Sequence, residues 1–324
     1  MKVVKTIDSQ GLILYQDITK IVKGEFKGVA FRKGHRVTAE DIPILLSLGK
    51  EHLFLRSEQS NLIHENEAAD FLYQLLASEF MNATPVSEGK IEVVAERDGL
   101  LKVDRELLFR LNAVSGMATA TLPTNQKVRA GQKIAGTRII PLEIESAALV
   151  EAEQAVGTDP ILSLIPFEKV TIGIVTTGSE IYNGLIKDAF GPVIKEKLAD
   201  YPTAEIKFHT IVNDEPHQIT QAIESMLEAG ADIIFCTGGM SVDPDDRTPL
   251  AIKQTGAEII SHGTPVLPGS MLLLAYLNEK TIVGLPGGVL YSKRTVFDLL
   301  LPRIMAKDNI NKAEIIGLGY GGYL

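Results

Sequence analysis

The chain has 324 residues, 45% hydrophobic and 23% charged, which is enough apolar material for two or three cored domains and argues against disorder. Its formal net charge of −9 argues against a protein built around a nucleic-acid backbone, where a basic face is the usual footprint. The single cysteine, Cys236, excludes an internal disulfide and a cysteine zinc cluster and suits a reducing cytosol. The N-terminus has no signal-like apolar stretch and no apolar run has the length of a bilayer span, so a cytoplasmic protein without membrane partners is expected.

Residues 1–57 read as a small β-rich accessory domain around one helix. That helix has a capping box at 38–41, with Asp41 in the carboxylate role, then apolar Leu45, Leu46 and Leu48 and a stop at Gly49. Residues 58–166 read as a mixed α/β accessory region and linker. Asn66 is the expected cap of a helix with Ala68, Leu72, Leu75 and Leu76 on one face. Asp104 is the expected cap of another, carrying Leu107, Leu108, Leu111 and Val114 and ending at Gly116. Residues 91–95 and 128–135 read as strand pieces, and 158–166 as linker.

From 167 to 306 the pattern is regular. Runs at 170–175, 231–236 and 281–285 are mostly apolar, as in parallel strands buried on both faces. Between them lie helical stripes: Phe190, Val193, Ile194 and Leu198 after Asp188; Ile219, Ala222, Ile223, Met226 and Leu227 after Asp214 and Pro216; Val296, Leu299, Leu300 and Ile304. This predicts an α/β domain with a doubly wound, mostly parallel sheet and helices on both faces. The stripes and Cys236 read as core. Residues 307–324 read as a C-terminal tail.

Ligands of open parallel sheets sit outside the C-terminal strand ends. Three loops are predicted there: Thr176, Thr177, Gly178, Ser179 and Glu180; then 237–248; then Pro286, Gly287 and Gly288, with 265–270 as a further wall. Glycine lets backbone amides approach an anion closely, and free amides at helix starts favour phosphate. Asp243, Asp245 and Asp246 lie within four positions, and Glu180 and Asp214 share the same predicted edge. So much negative charge would repel a bare phosphate, and magnesium bridging carboxylates and phosphate oxygens resolves the conflict. The plainer reading of Asp246 is a cap for the helix that follows it.

Thr176 to Glu180, Asp214-Glu215-Pro216, Thr237-Gly238-Gly239-Met240-Ser241, Pro268-Gly269 and Gly284-Leu285-Pro286-Gly287-Gly288 occur in an order that resembles the molybdopterin-binding domain family of molybdenum cofactor biosynthesis. The resemblance covers the 167–306 region. It implies binding of molybdopterin or its adenylylated form, a pterin phosphate or nucleotide, and molybdate insertion with AMP release. It implies Gly238, Gly239 and Ser241 at the pterin phosphate, with Thr176, Thr177, Gly178, Ser179, Asp214, Thr248, Pro268, Gly269, Pro286, Gly287 and Gly288 as the rest of the binding set. Asp246, Asp243 and Glu180 are the implied catalytic carboxylates, and Asp243, Asp245 and Asp246 the implied magnesium ligands. A homo-oligomer, dimer or trimer, is also implied. The chain departs from molybdotransferases where Ser270 and Met271 follow the proline-glycine pair in place of lysine and proline. Two other readings stand beside this one. One is a non-catalytic carrier or sensor of the cofactor. The other is a metal-dependent nucleotide pyrophosphatase, because Pro244-Asp245-Asp246-Arg247-Thr248 resembles a stretch of the competence-damage-inducible family.

Overall fold

The apolar runs after residue 169 become the centre of a six-stranded sheet. The protein, seen in a computed structural model, is described at residues 2–22, 25–55, 61–241, 243 and 246–322. It divides into two units, one of residues 1–96, 102–124 and 130–164, the other of 97–101, 125–129 and 165–324.

In the C-terminal unit the strands are β1 (Val170–Thr177), β2 (Ala204–Val212), β3 (Ile233–Thr237), β4 (Glu258–His262), β5 (Leu273–Leu277) and β6 (Lys280–Leu285). Their order is β2-β1-β3-β6-β5-β4. The first four run parallel, while β5 pairs antiparallel with both β6 and β4. The reversal comes from a two-residue hairpin, Leu277 opposite Lys280, with Asn278 at φ +54°. The sheet is therefore α/β and mostly parallel, as expected, with one reversed strand.

The helices are α1 (Ser179–Tyr182), α2 (Phe190–Leu198), α3 (Pro216–Glu228), α4 (Thr248–Gln254), α5 (Gly288–Tyr291), α6 (Val296–Met305) and α7 (Lys312–Gly317). On one face of the sheet α2 and α6 put Ile194, Leu198, Phe297, Leu300 and Ile304 against Ile172, Ile174, Phe235 and Val283. On the other, α3 and α4 put Ile219, Ile223, Met226 and Ile252 against Val175, Ile234, Cys236 and Ile282. Each fully buried aliphatic or aromatic side chain here contributes roughly 1.5–3 kcal/mol of transfer free energy. Gly173 lets α3 come close, since a Cβ there would lie 2.7 Å from both Ile234 Cδ1 and Met226 Sδ.

Strand β2 lies at the sheet edge and alternates half-buried with exposed residues. Glu205, Lys207 and His209 interrupt any apolar run, which hides it from a reading based on buried strands. The last segment, 307–324, carries α7, capped reciprocally by Asn311 and Glu314, and it buries Ile310 and Ile315 in the core. Arg303, almost fully buried, bonds Asp308 and Glu314 and so anchors that stretch.

The N-terminal unit holds a four-stranded antiparallel sheet ordered Met81–Ala83, Lys90–Ala95, Lys133–Ile139, Met117–Thr121, with helix Glu65–Leu76 burying Ala68, Leu72 and Leu76. Its first part pairs Lys2–Lys5 with His52–Leu55 and closes a small core of Leu14, Ile18, Val37, Leu45 and Leu53. Three local expectations change. Half of the 38–41 capping box forms, with Asp41 Oδ2 accepting from Thr38 N at 2.8 Å, but the Thr38 hydroxyl donates to Asp41 instead of capping a backbone amide and helix Asp41–Ser47 starts later than a Thr38 cap implies. His64, not Asn66, caps Glu65–Leu76: its Nδ1 accepts from Asn66 N at 3.1 Å, while Asn66 Oδ1 accepts from Gly89 N. Residues 162–166 form a strand with Leu162 buried, so the supposed linker is ordered structure. Asp104 does cap Arg105–Ala113, accepting from Glu106 N and Leu107 N. No helix of the described residues is long and apolar enough to cross a membrane.

Candidate functional site

The parallel register sets Thr176 beside Thr237 and Thr237 beside Leu285, so the loops after β1, β3 and β6 leave the sheet side by side. A cavity of about 480 Å³ opens there. Its floor and walls come from Gly238 to Ser241, from Gly269 to Met271 and from Leu285 to Gly288, with Asp246 on one side. Phe190, Leu290 and Tyr291 complete it. Tyr291 is 88% exposed.

Close backbone approach explains the glycines of this wall. Gly269 has φ +106°, and a Cβ on it would lie 3.1 Å from Val296 Cγ1. A Cβ on Gly288 would lie 3.4 Å from Gly269 N. Met240 lies over Gly284, whose Cβ would overlap the methionine sulfur at 2.6 Å. Among the described residues, no acceptor pairs with the backbone N–H groups of Gly239, Met240, Ser241, Gly287 or Gly288. These amides, with the hydroxyls of Ser241 and Ser270, are the donors on offer to an anion. Asp246 is the one charged side chain among the described lining residues.

Of the residues singled out from sequence, the cavity brings together Gly238, Gly239, Ser241, Asp246, Gly269, Pro286, Gly287 and Gly288. Others are placed elsewhere. Thr176 is fully buried with its Oγ1 3.1 Å from His209 Nε2, which also lies 3.3 Å from Asp188 Oδ2. Thr177 and Thr248 are buried against each other. Ser179 is held by Asn213 and Asp214, and Gly178, at φ +142°, starts α1. Glu180 is exposed, and its carbonyl accepts from Leu185 N and Ile186 N. Pro268 lies behind the wall, its carbonyl accepting from Val296 N at 3.2 Å.

The acidic turn is self-bonded. Asp246 N donates to Asp243 O at 2.9 Å, and Asp243 N donates to Asp246 Oδ2 at 3.3 Å. Asp246 therefore does not cap α4, whose first residue follows Arg247 with no side-chain cap. Asp245 lies outside the described residues. Among the described residues, no three His, Cys, Asp or Glu side chains converge as metal ligands. Asp246 lines the cavity and Asp243 does not, so among the described residues one carboxylate faces the space where magnesium, commonly held by one or two carboxylates together with substrate phosphates, would have to sit.

Phe190, Met271, Leu290 and Tyr291 were not legible as lining residues, whereas Met240 and Ser270 fall in the two wall segments expected at 237–248 and 265–270. Phe190 reads as one more apolar position of a helical stripe, and only its place at the start of α2 turns it to the cavity. The N-terminal unit has a larger open depression of about 690 Å³ on its sheet. Its lysines Lys90 and Lys133 both pair with Glu92.

Residues 173–306 match the family described as "Probable molybdopterin binding domain", and residues 3–56 match a domain of unknown function, DUF8806. The chain is similar to the molybdopterin molybdenumtransferase of Synechococcus elongatus, 26% identical over 184 residues, covering 54% of this chain and 43% of that protein. It is also similar to a CinA-like protein of Mycobacterium avium, 37% identical over 89 residues, 27% of this chain and 20% of that one. The chain thus spans less than half the length of these curated relatives. Among solved structures, the molybdopterin biosynthesis enzyme MoaB of Thermus thermophilus overlays with a TM-score of 0.36 and 22% identity, covering 44% of this chain and 98% of that one. The C-terminal unit carries a domain of the molybdenum cofactor biosynthesis type.

Proposed function

We propose that the cavity at the ends of β3 and β6 binds molybdopterin or its adenylylated form, and that the protein promotes molybdate insertion with release of AMP. The observation that carries this reading is the meeting of two glycine loops, Gly238 to Ser241 and Gly287 to Gly288, whose amides have no acceptor among the described residues. Such amides suit a phosphate. Phe190 and Tyr291 offer faces to a flat heterocycle. Asp246 and Asp243 would hold magnesium, which supplies charge neutralisation of the phosphoanhydride. Asp246 then acts by placing charge at the cavity edge and not as a nucleophile.

A second reading, a carrier or sensor without chemistry, is favoured by a different observation: no lysine or arginine lines the cavity among the described residues, and Ser270 and Met271 stand in the wall. Calorimetry with molybdopterin and adenylylated molybdopterin, with and without magnesium and molybdate, while following AMP, separates the two. Tight binding with molybdate-dependent AMP release supports the transferase. Tight binding with no AMP release supports the carrier. No binding of either form removes both, and turnover of ADP-ribose with magnesium would instead favour a pyrophosphatase.

A further inference from the structure

Thr177 and Thr248 carry hydroxyls next to the glycine loop, yet neither side chain lines the cavity. Thr248 Oγ1 donates to Gly238 O at 2.8 Å, and Thr248 N donates to Gly239 O at 3.2 Å. With its proton committed to Gly238, Thr248 Oγ1 accepts from the Thr177 hydroxyl 3.3 Å away. Two successive carbonyls are thus drawn to the first residue of α4. In a trans peptide the carbonyl and the following N–H point in opposite directions. Holding the carbonyls of Gly238 and Gly239 on Thr248 therefore turns the N–H groups of Gly239 and Met240 to the opposite side.

The glycines follow from the same arrangement. A Cβ on Gly238 would lie 2.3 Å from Thr177 O, and a Cβ on Gly239 would lie 2.9 Å from Thr248 Oγ1. Both residues have positive φ, +84° and +56°. The glycine pair is thus required by the threonines behind it, whatever approaches from the cavity side. Met240, next in sequence, then seats its sulfur and methyl over Gly284.

We propose that Thr248, with Thr177 as its donor, is a positioning residue: it aims the Gly239 and Met240 amides without touching the ligand. This rests on the reading that the cavity binds a phosphorylated pterin. The test uses the full chain with ¹³C-methyl methionine and the variants Thr248→Val, Thr177→Val and Thr248→Ser. The Met240 methyl resonance is read without ligand, and molybdopterin affinity is read by calorimetry. Thr248→Val and Thr177→Val should shift or broaden the Met240 signal and weaken binding about tenfold, and Thr248→Ser, which keeps the hydroxyl, should restore both. An unchanged Met240 signal in the valine variants, or no recovery in the serine variant, overturns the proposal. Thr177→Val decides it if Thr248→Val does not fold. If the wild-type chain binds no molybdopterin, the ligand reading fails, while the Met240 signal still decides the role of Thr248.

Discussion

Asp214 holds the turn after β1: its Oδ2 accepts from Ser179 N at 2.7 Å and lies 2.8 Å from Ser179 Oγ, whose one proton it shares with Asn213 Oδ1 at 2.7 Å. The carboxylate thus joins the loop after β2 to the start of α1. Asp214→Ala leaves the Ser179 amide without its acceptor and should cost about 1–3 kcal/mol in denaturant unfolding. Asp214→Asn keeps an acceptor oxygen and should cost less. Equal stability of the alanine variant and wild type would show that the bond contributes nothing.

Gly238 and Gly287 both line the cavity but differ in what surrounds them. Gly238→Ala meets Thr177 O at 2.3 Å from a left-handed backbone, whereas Gly287 has nothing within 4 Å of an added Cβ. Gly238→Ala should lose at least about 2 kcal/mol of stability, and Gly287→Ala less than about 0.5 kcal/mol. Thermal melts of the two variants side by side check the contrast.

Asp246 is the charged residue of the cavity wall. Asp246→Asn keeps the turn with Asp243 N available to an oxygen, so the fold should survive. AMP release from adenylylated molybdopterin should fall at least about a hundredfold, with a smaller change in affinity, as for a charge that acts mainly in the transition state. Unaltered turnover would remove Asp246 from the chemistry.

In the N-terminal unit, burial, together with the Lys33 charge, holds the His64 imidazole below its usual pKa of 6.5. Its Nδ1 accepts from Asn66 N, so the folded state favours the neutral ring. The unfolded chain takes up the proton first as pH falls through about 6.5. Stability is therefore full above that pH and is lost as the pH falls below it, down to the depressed folded pKa. Unfolding curves between pH 7.5 and 5 should slope more steeply for wild type than for His64→Gln.

Cys236 is fully buried in β3, and burial pushes its thiol pKa up to about 12. It should not react with a thiol reagent at pH 8 until the protein unfolds. Rapid labelling of the native chain would mean that β3 opens readily.

The regular part of the fold was legible because its signals are local. Val170 to Val175 and Ile233 to Cys236 are apolar on both faces, and the stripes of α3 and α6 repeat at the helical period. The cap at Asp104 and the glycines of the strand-end loops could be read in the same way. Edge strand β2 was not, since only its neighbour β1 makes it a strand. The site divides along the same line. Gly238, Gly239, Gly287 and Asp246 announce themselves by residue type and place. The outward or inward direction of a hydroxyl does not. Thr176, Thr177 and Thr248 carry the same group as any ligand donor, and only packing turned Thr176 to His209 and joined Thr177 to Thr248. Sequence by itself determined which residues stand at the strand ends, because periodicity fixes element order. Tertiary structure alone decided which of them face the cavity, because that depends on contacts between residues such as Thr177 and Thr248, 71 positions apart.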